Sequence, residues 1–332
     1  MNRNMKQWAS DLMAAPVKNP LPLLSFPCIS LMGIHLQQLI QDSDLQATGM
    51  KLVADRVPSA ASVGFMDLSV EAEAFGASVF VSDEEVPTVV GALISDEEQA
   101  DALEIPPVGA GRTGMSVEAI GKAVREITDR PVLAGVIGPY SLASRLMDVS
   151  ETMLYCYDDP DMVHTVLEKC TAFLIAYCEA FRKAGANGVV MAEPLAGLLS
   201  PAFAKEFSHP YAKRLVDAVQ TEDFCVIYHN CGNNVPMMIQ DIYGIGALGY
   251  HFGDVIDMMS VLPQAPADVL VMGNISPASQ FRKGTPESMT CATRELLEKC
   301  GGYANFVISS GCDIPPLSPW ENIDAFFRAA LG

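Results

Sequence analysis

Eight short apolar runs, rich in β-branched residues, alternate with longer segments of helical periodicity, and no other feature constrains the fold as much. The runs lie at 21–26, 77–81, 132–137, 188–191, 224–228, 247–250, 269–272 and 306–309. They are apolar nearly throughout rather than at every second position, as strands buried on both faces are. The intervening segments are long enough for helices; 160–184 is apolar at helical spacing and ends at Gly185. Ser200-Pro201, Ser276-Pro277, Thr285-Pro286 and Ser318-Pro319 each put a capping hydroxyl before a proline at the first helical position. Ser318 with Glu321 also reads as a capping box. Eight strand–helix units predict an α/β fold, a (β/α)₈ TIM barrel that uses 1–332 as a single domain. The first twenty residues read as an extra helix outside the barrel, and 83–104 as a solvated loop and helix start.

Composition narrows the function classes. Half of the residues are hydrophobic, enough for a large core. The net charge of −19 disfavours nucleic-acid binding through a basic surface. The N-terminus opens no apolar run of signal-peptide length, and no stretch reaches the length of a membrane span. Nine cysteines, an odd number without close spacing, are not a disulfide framework. The expectation is a cytoplasmic protein with reduced thiols and no membrane or nucleic-acid partner.

A parallel barrel builds its site at the C-terminal ends of its strands. There the sequence places Gly138-Pro139-Tyr140, Glu193-Pro194, His229-Asn230-Cys231-Gly232, Gly273-Asn274 and Gly311-Cys312-Asp313. One imidazole and two thiols, from His229, Cys231 and Cys312, make a three-ligand zinc site. A structural zinc has four protein ligands, whereas a catalytic one keeps a position open. Thiolates favour zinc over magnesium, calcium or manganese. Zinc held by two thiolates and a neutral imidazole has no net charge, and a substrate thiol entering the open position would lose its proton. That chemistry suits alkyl transfer to a thiol; a hydrolytic zinc carries mostly His and carboxylate ligands. The plain alternative is that His229 and Cys231 are core residues at a strand end.

Glu193 is the natural acid of the site. It is a fourth ligand displaced by substrate, a proton acceptor for the thiol, or a loop carboxylate bonded to backbone. His251 follows the sixth run and could face the site; His35, His164 and His209 read as surface or helix-packing residues. Asp67 and Glu71 sit one turn apart if 66–76 is helical; they could line a pocket, but read first as surface or capping charges. Cys28, Cys156, Cys170, Cys178, Cys225, Cys291 and Cys300 read as small buried hydrophobes. Gly109-Ala110-Gly111-Arg112-Thr113-Gly114 matches G-x-G-x-x-G but follows no convincing strand, and reads as a loop.

Several of these stretches are similar to a known group. They are Met66-Asp67-Leu68-Ser69-Val70-Glu71-Ala72-Glu73, Ala192-Glu193-Pro194, His229-Asn230-Cys231-Gly232, Gly273-Asn274-Ile275-Ser276-Pro277, and Ser310-Gly311-Cys312-Asp313-Ile314-Pro315-Pro316. Through them the chain resembles the uroporphyrinogen decarboxylase superfamily, in its branch of zinc-dependent, corrinoid-linked methyltransferases. The resemblance runs from about residue 20 to the C-terminus. It implies a (β/α)₈ barrel with zinc on His229, Cys231 and Cys312, and assigns Gly273 and Asn274, in an element shared more widely, to cofactor binding. It implies a methyl donor, the methylcobalt(III) group of a small corrinoid protein, and an acceptor such as coenzyme M or another small thiol. The thiolate would attack the methyl group in line and leave Co(I). The second reading runs the other way, from a methylated amine, ether or thioether to Co(I). A decarboxylase is third: the true decarboxylases have an arginine-rich N-terminal segment, and the corresponding Leu23-Leu24-Ser25-Phe26-Pro27-Cys28-Ile29-Ser30 has none. A zinc- or corrinoid-binding module without turnover comes last.

Overall fold

The computed structural model describes residues 3–332. Seven strands form one parallel sheet: β1 Ser62–Val63, β4 Val132–Ile137, β5 Gly188–Ala192, β6 Cys225–Asn230, β7 Gly249–Phe252, β8 Leu270–Ile275 and β9 Phe306–Ser310, in that spatial order. Each pair in the sequence β4 to β9 is joined through helical segments, the right way to connect parallel neighbours. Six of the eight apolar runs are therefore sheet strands within three residues of their expected bounds.

The other two runs differ. Residues 77–81 contain β2, Ser78–Phe80, which pairs antiparallel with β3, Thr88–Val90, in a separate hairpin. Its residues alternate between exposed and half-buried, so it serves as a surface hairpin and not as a barrel strand. Residues 21–26 are buried but form no regular strand. Pro20 and Pro22 lack the N–H groups a ladder needs, so bonds form only at alternate positions. Leu21 N–H donates to the Ile308 carbonyl (3.0 Å), Leu23 N–H to Ser310 Oγ (3.0 Å), and Ala60 N–H to the Pro20 carbonyl (2.9 Å). The segment thus bonds to β9 on one side and to the residues leading into β1 on the other. The two-residue β1, in Ala61-Ser62-Val63-Gly64, has too little apolar character to be read in advance.

Strand periodicity of two sorts the side chains into two cores. Leu133, Val190, Cys225, Ile227, Leu270, Met272 and Val307 point inward and pack with Leu21, Leu23 and Val63. The alternate residues, such as Val226, Tyr228, Val271 and Ile308, face the surrounding helices. The helix Met5–Ala14 buries Met5 and Ala9 against the inner core, and Met5 N–H bonds the Glu222 carbonyl just before β6. This extra helix covers the N-terminal end of the sheet and leaves the C-terminal end to loops.

Three of the four Ser/Thr-Pro starts are capped as expected, by Ser200, Ser276 and Thr285. Ser318 is not a cap: the last helix begins at Trp320 after Pro319, and the Ser318 hydroxyl is buried without a partner. The Gly109–Gly114 motif is a turn with positive φ at Gly109 and Gly111, leading into the helix Thr113–Glu126.

Candidate metal centre

His229 is the next inward position on β6 above Cys225 and Ile227, so it stands at the top of the inner core. Register places it between Ala192 of β5 and His251 of β7. Cys231 follows directly on the loop, and Cys312 lies two residues beyond β9. The imidazole and the two thiols bring one ligand atom each within 4.8 Å of one another. His229 Nε2 is 3.5 Å from Cys312 Sγ. Zinc bonds of about 2.05 Å to nitrogen and 2.3 Å to sulfur at a tetrahedral angle give a separation of about 3.5 Å. The donor set and its spacing both fit zinc. His229 is buried, and the two cysteines are partly open.

Backbone contacts hold the cysteine loops. A Cβ on Gly253 would lie 2.5 Å from Cys231 Cβ, and one on Gly311 2.5 Å from Asp254 N. The loops after β6, β7 and β9 therefore stack with no side chain between them. The Cys312 thiol beside it holds Cys231 below the ordinary thiol range, and the same contact pushes Cys312 up to about 12. A cation among them would favour the thiolate form of both.

Asn274 supports this stack. Its amide donates to the carbonyls of Gly253 (2.8 Å) and Ile256 (2.6 Å), on the loop after β7. Gly273 packs against Met258 and the Phe252 carbonyl.

Glu193 is fully buried and turned elsewhere. Oε1 accepts from Tyr140 N–H (2.9 Å), and Oε2 accepts from Ser141 N–H (2.9 Å) and Ser141 Oγ (2.7 Å). These are open donors in the first turn of the helix Pro139–Met147, so the carboxylate caps a neighbouring helix. Gly138 makes room for it: a Cβ there would lie 2.2 Å from Glu193 Cγ. Burial pushes the carboxyl up to about 7, against the pull of its three hydrogen bonds.

Asp67 and Glu71 are buried and line a small cavity, so the surface reading fails and the pocket reading holds; Asp67 also caps, accepting from Ser69 N–H (3.1 Å) and Oγ (2.6 Å). Arg112, from the Gly-rich turn, bonds Asp67, Glu73 (2.6 Å) and Ser69 (2.8 Å). Glu71 accepts from Ile137 N–H (3.0 Å), and its other oxygen has no partner. Arg145 lies close enough to feel both Glu71 and Asp67, and burial lowers its pKa. Lys205 is exposed.

His251 faces the site. Its Nδ1 lies 2.7 Å from His229 Nδ1 and its Nε2 2.8 Å from Ser309 Oγ. His209 is buried in helix packing, His164 is bonded to Tyr211, and His35 is exposed. Cys291 is exposed, against expectation, while Cys28, Cys156, Cys170, Cys178, Cys225 and Cys300 are buried. Asp313 stands within the Gly311-Cys312-Asp313 element, whereas Ser309 and Asp254 carry no motif in the sequence. Only their spacing from Cys312 and β7 could have drawn attention to them.

A family model described as uroporphyrinogen decarboxylase (URO-D) matches residues 29–331. The methylcobamide:CoM methyltransferase MtbA of Methanosarcina mazei is 27% identical over 276 residues, covering 80% of this chain and 77% of its own. A uroporphyrinogen decarboxylase of Coxiella burnetii is 26% identical over 290 residues, covering 82% and 77%. A solved methyltransferase from Methanosarcina mazei superposes with a TM-score of 0.87 at 23% identity, over 98% of this chain and 97% of that one. Among the described residues, no helix is long and apolar enough to cross a membrane. The parallel sheet, its C-terminal site and the match over nearly the whole chain make this protein a member of the uroporphyrinogen decarboxylase (URO-D) family.

Proposed function

We propose that this protein is a zinc-dependent methyltransferase that moves a methyl group from a methylated corrinoid, carried by a small partner protein, to a small thiol such as coenzyme M. The single observation that carries this reading is the convergence of His229, Cys231 and Cys312 at the open end of the sheet. Both methyltransferases and decarboxylases are among the relatives, so family membership alone does not choose between them. The ligand set does, because decarboxylation has no use for two thiols and an imidazole.

Zinc held by these three residues would supply Lewis acidity that keeps an acceptor thiol in its thiolate form near neutral pH. The chain's own residues do the rest. The stacked loops after β6, β7 and β9 hold Cys231 and Cys312 at the rim, where an acceptor can enter from solvent. Asn274 pins the β7 loop, so its role is to support the centre. Glu193, fixed on the helix Pro139–Met147, shapes the wall beside β5 and lies against the strand that carries His229. Leu198, Met237, Val255 and Leu317 are exposed on the loops after β5, β6, β7 and β9. They form apolar ground at the mouth for a partner presenting a large flat cofactor. In this reading the segment 20–24 completes the ring between β9 and β1 as the eighth stave of the barrel.

Decarboxylation of a polycarboxylate porphyrinogen is disfavoured on charge. The segment Leu23 to Ser30 has no arginine, Arg112 is already neutralised by Asp67 and Glu73, and Arg145 sits beside Glu71.

The test is zinc per chain in the purified protein and in Cys312→Ala, with loss of the methylcobalt absorbance on adding thiol as the activity readout. About one zinc in the parent, markedly less in the variant, and thiol-dependent demethylation of methylcobalamin only by the parent are expected. A parent with no zinc after reconstitution under reducing conditions would overturn the reading.

A further inference from the structure

We infer that His251 is a positioning residue that fixes the tautomer of His229, through a one-way chain of hydrogen bonds anchored on the backbone of residue 21. The inference rests on the metal reading for its purpose, but its geometry stands apart from it.

The chain can be read in only one direction. The Leu21 carbonyl accepts and cannot donate, and Ser309 Oγ lies 2.7 Å from it. Ser309 has one hydroxyl proton, and that proton goes to Leu21. Ser309 Oγ then meets His251 Nε2, at 2.8 Å, as an acceptor, so His251 carries its proton on Nε2. A neutral imidazole has one N–H, which leaves His251 Nδ1 bare. His251 is fully buried with Ser309 and His229, not a carboxylate, as its ring partners, and a buried imidazole without a counter-charge is neutral. Its bare Nδ1 faces His229 Nδ1 at 2.7 Å, and the contact makes a bond only if His229 carries the proton there. The His251 carbonyl, 3.2 Å from the same nitrogen, is a second acceptor aimed at that proton. His229 Nε2 is therefore left as a lone pair, and it is the nitrogen that faces Cys312 Sγ.

Each link has a structural cause. Register pairs His229 with His251 on adjacent strands, so both rings enter the inner core at one level. The prolines of the 20–24 segment keep it out of a regular ladder and let the Leu21 carbonyl accept from a side chain. The effect is to hold the ring of His229 in place with its lone pair toward the cysteines before any metal arrives. Ligand histidines are commonly oriented by an acceptor on the other ring nitrogen, and losing that acceptor costs about ten- to a hundredfold in metal affinity. A second neutral imidazole as the acceptor, itself oriented by a serine, adds no charge to the centre.

The experiment has two arms. Nitrogen-15 histidine spectra of the metal-free parent report, from the proton–nitrogen coupling pattern, which ring nitrogen of His229 is protonated. The expected pattern is Nδ1–H for His229 and Nε2–H for His251. The opposite pattern for His229 would overturn the inference without any variant being made. In the second arm, zinc affinity is measured by competition with a chromophoric chelator. His251→Phe, which keeps a buried ring without an acceptor, should lose about ten- to a hundredfold. His251→Gln, which can offer Oε1 to His229, should recover most of it, and Ser309→Ala should give an intermediate loss with mixed His229 tautomers. Parent affinity in a folded His251→Phe would also overturn the inference. A parent that shows the expected tautomers but binds no zinc would keep this assignment and overturn the metal reading instead.

Discussion

The two sides of the sheet's C-terminal end place their polar residues in opposite ways. On the side of β6, β7 and β9, the donor atoms of His229, Cys231 and Cys312 converge on one another, and the two cysteines stay partly open. On the side of β1, β4 and β5, Asp67, Glu71 and Glu193 are buried, and most of their oxygens are spent on Arg112, Ser69, Ile137 N–H, Tyr140 N–H and Ser141. The first arrangement leaves lone pairs for something from outside. The second holds loops and a helix in place. A carboxylate at a strand end is therefore weaker evidence of chemistry than its position implies, because backbone donors at a helix start compete for it.

Reciprocal substitutions would break this contrast if it is wrong. Cys231→Ala should lower zinc affinity by about a hundred- to a thousandfold, a share of the roughly 10–16 kcal/mol of a zinc site, and should leave the melting of the metal-free protein close to the parent. Glu193→Ala should do the reverse, costing about 2–4 kcal/mol because buried donors lose their acceptor, with zinc per chain unchanged. Zinc loss in a folded Glu193→Ala would make Glu193 a ligand and erase the difference between the sides. Arg112→Ala should destabilise by about 2–3 kcal/mol, less than a fully buried pair because the guanidinium is partly exposed, and Arg112→Lys should recover little of it. Chemical denaturation checks both. Gly253→Ala probes the open side: its methyl must push Cys231, so zinc affinity should fall about tenfold, from a strain of about 1–2 kcal/mol. Chelator competition reads that loss.

Legibility followed the same division. The six strands from β4 to β9 could be read because each is apolar on both faces and bounded by turn residues. The His-x-Cys and Gly-Cys elements could be read because thiols at strand ends are rare and their spacing has a chemical use. What stayed hidden depended on partners distant in sequence. Residues 77–81 have the composition of a strand, but only the pairing with β3 shows that they lie outside the sheet. Glu193 looks the same in sequence whether it faces a metal or the N–H of Tyr140. Asp67 and Glu71 read first as surface or capping charges, and second as pocket residues, because nothing local reveals the approach of Arg112 and Ile137. His251 gained its meaning from register with His229, and β1 was too short to carry any pattern.

A pH-dependent effect is the most discriminating for the closed side. Glu71 is buried with one oxygen bonded to Ile137 N–H and the other unpartnered, and burial raises its carboxyl from 4.5 to about 7. Between those values the folded protein holds a proton that the unfolded chain has lost. The folded state then binds more protons, so this group's contribution to stability falls as pH rises from about 4.5 to about 7 and is level above. Glu71→Gln mimics the protonated form and does not titrate. The stability of the variant minus that of the parent should therefore climb across that window, by at most about 1.4 kcal/mol per pH unit, and stay flat beyond it. The nearby Arg145 favours the ionised form and works against this slope, whereas Asp67 adds to it. Urea denaturation of both proteins at several pH values gives the difference directly. A difference that does not change with pH would mean that Arg145 and the Ile137 N–H keep Glu71 ionised. The closed side would then be held by charge pairs throughout, instead of by one neutral acid among them.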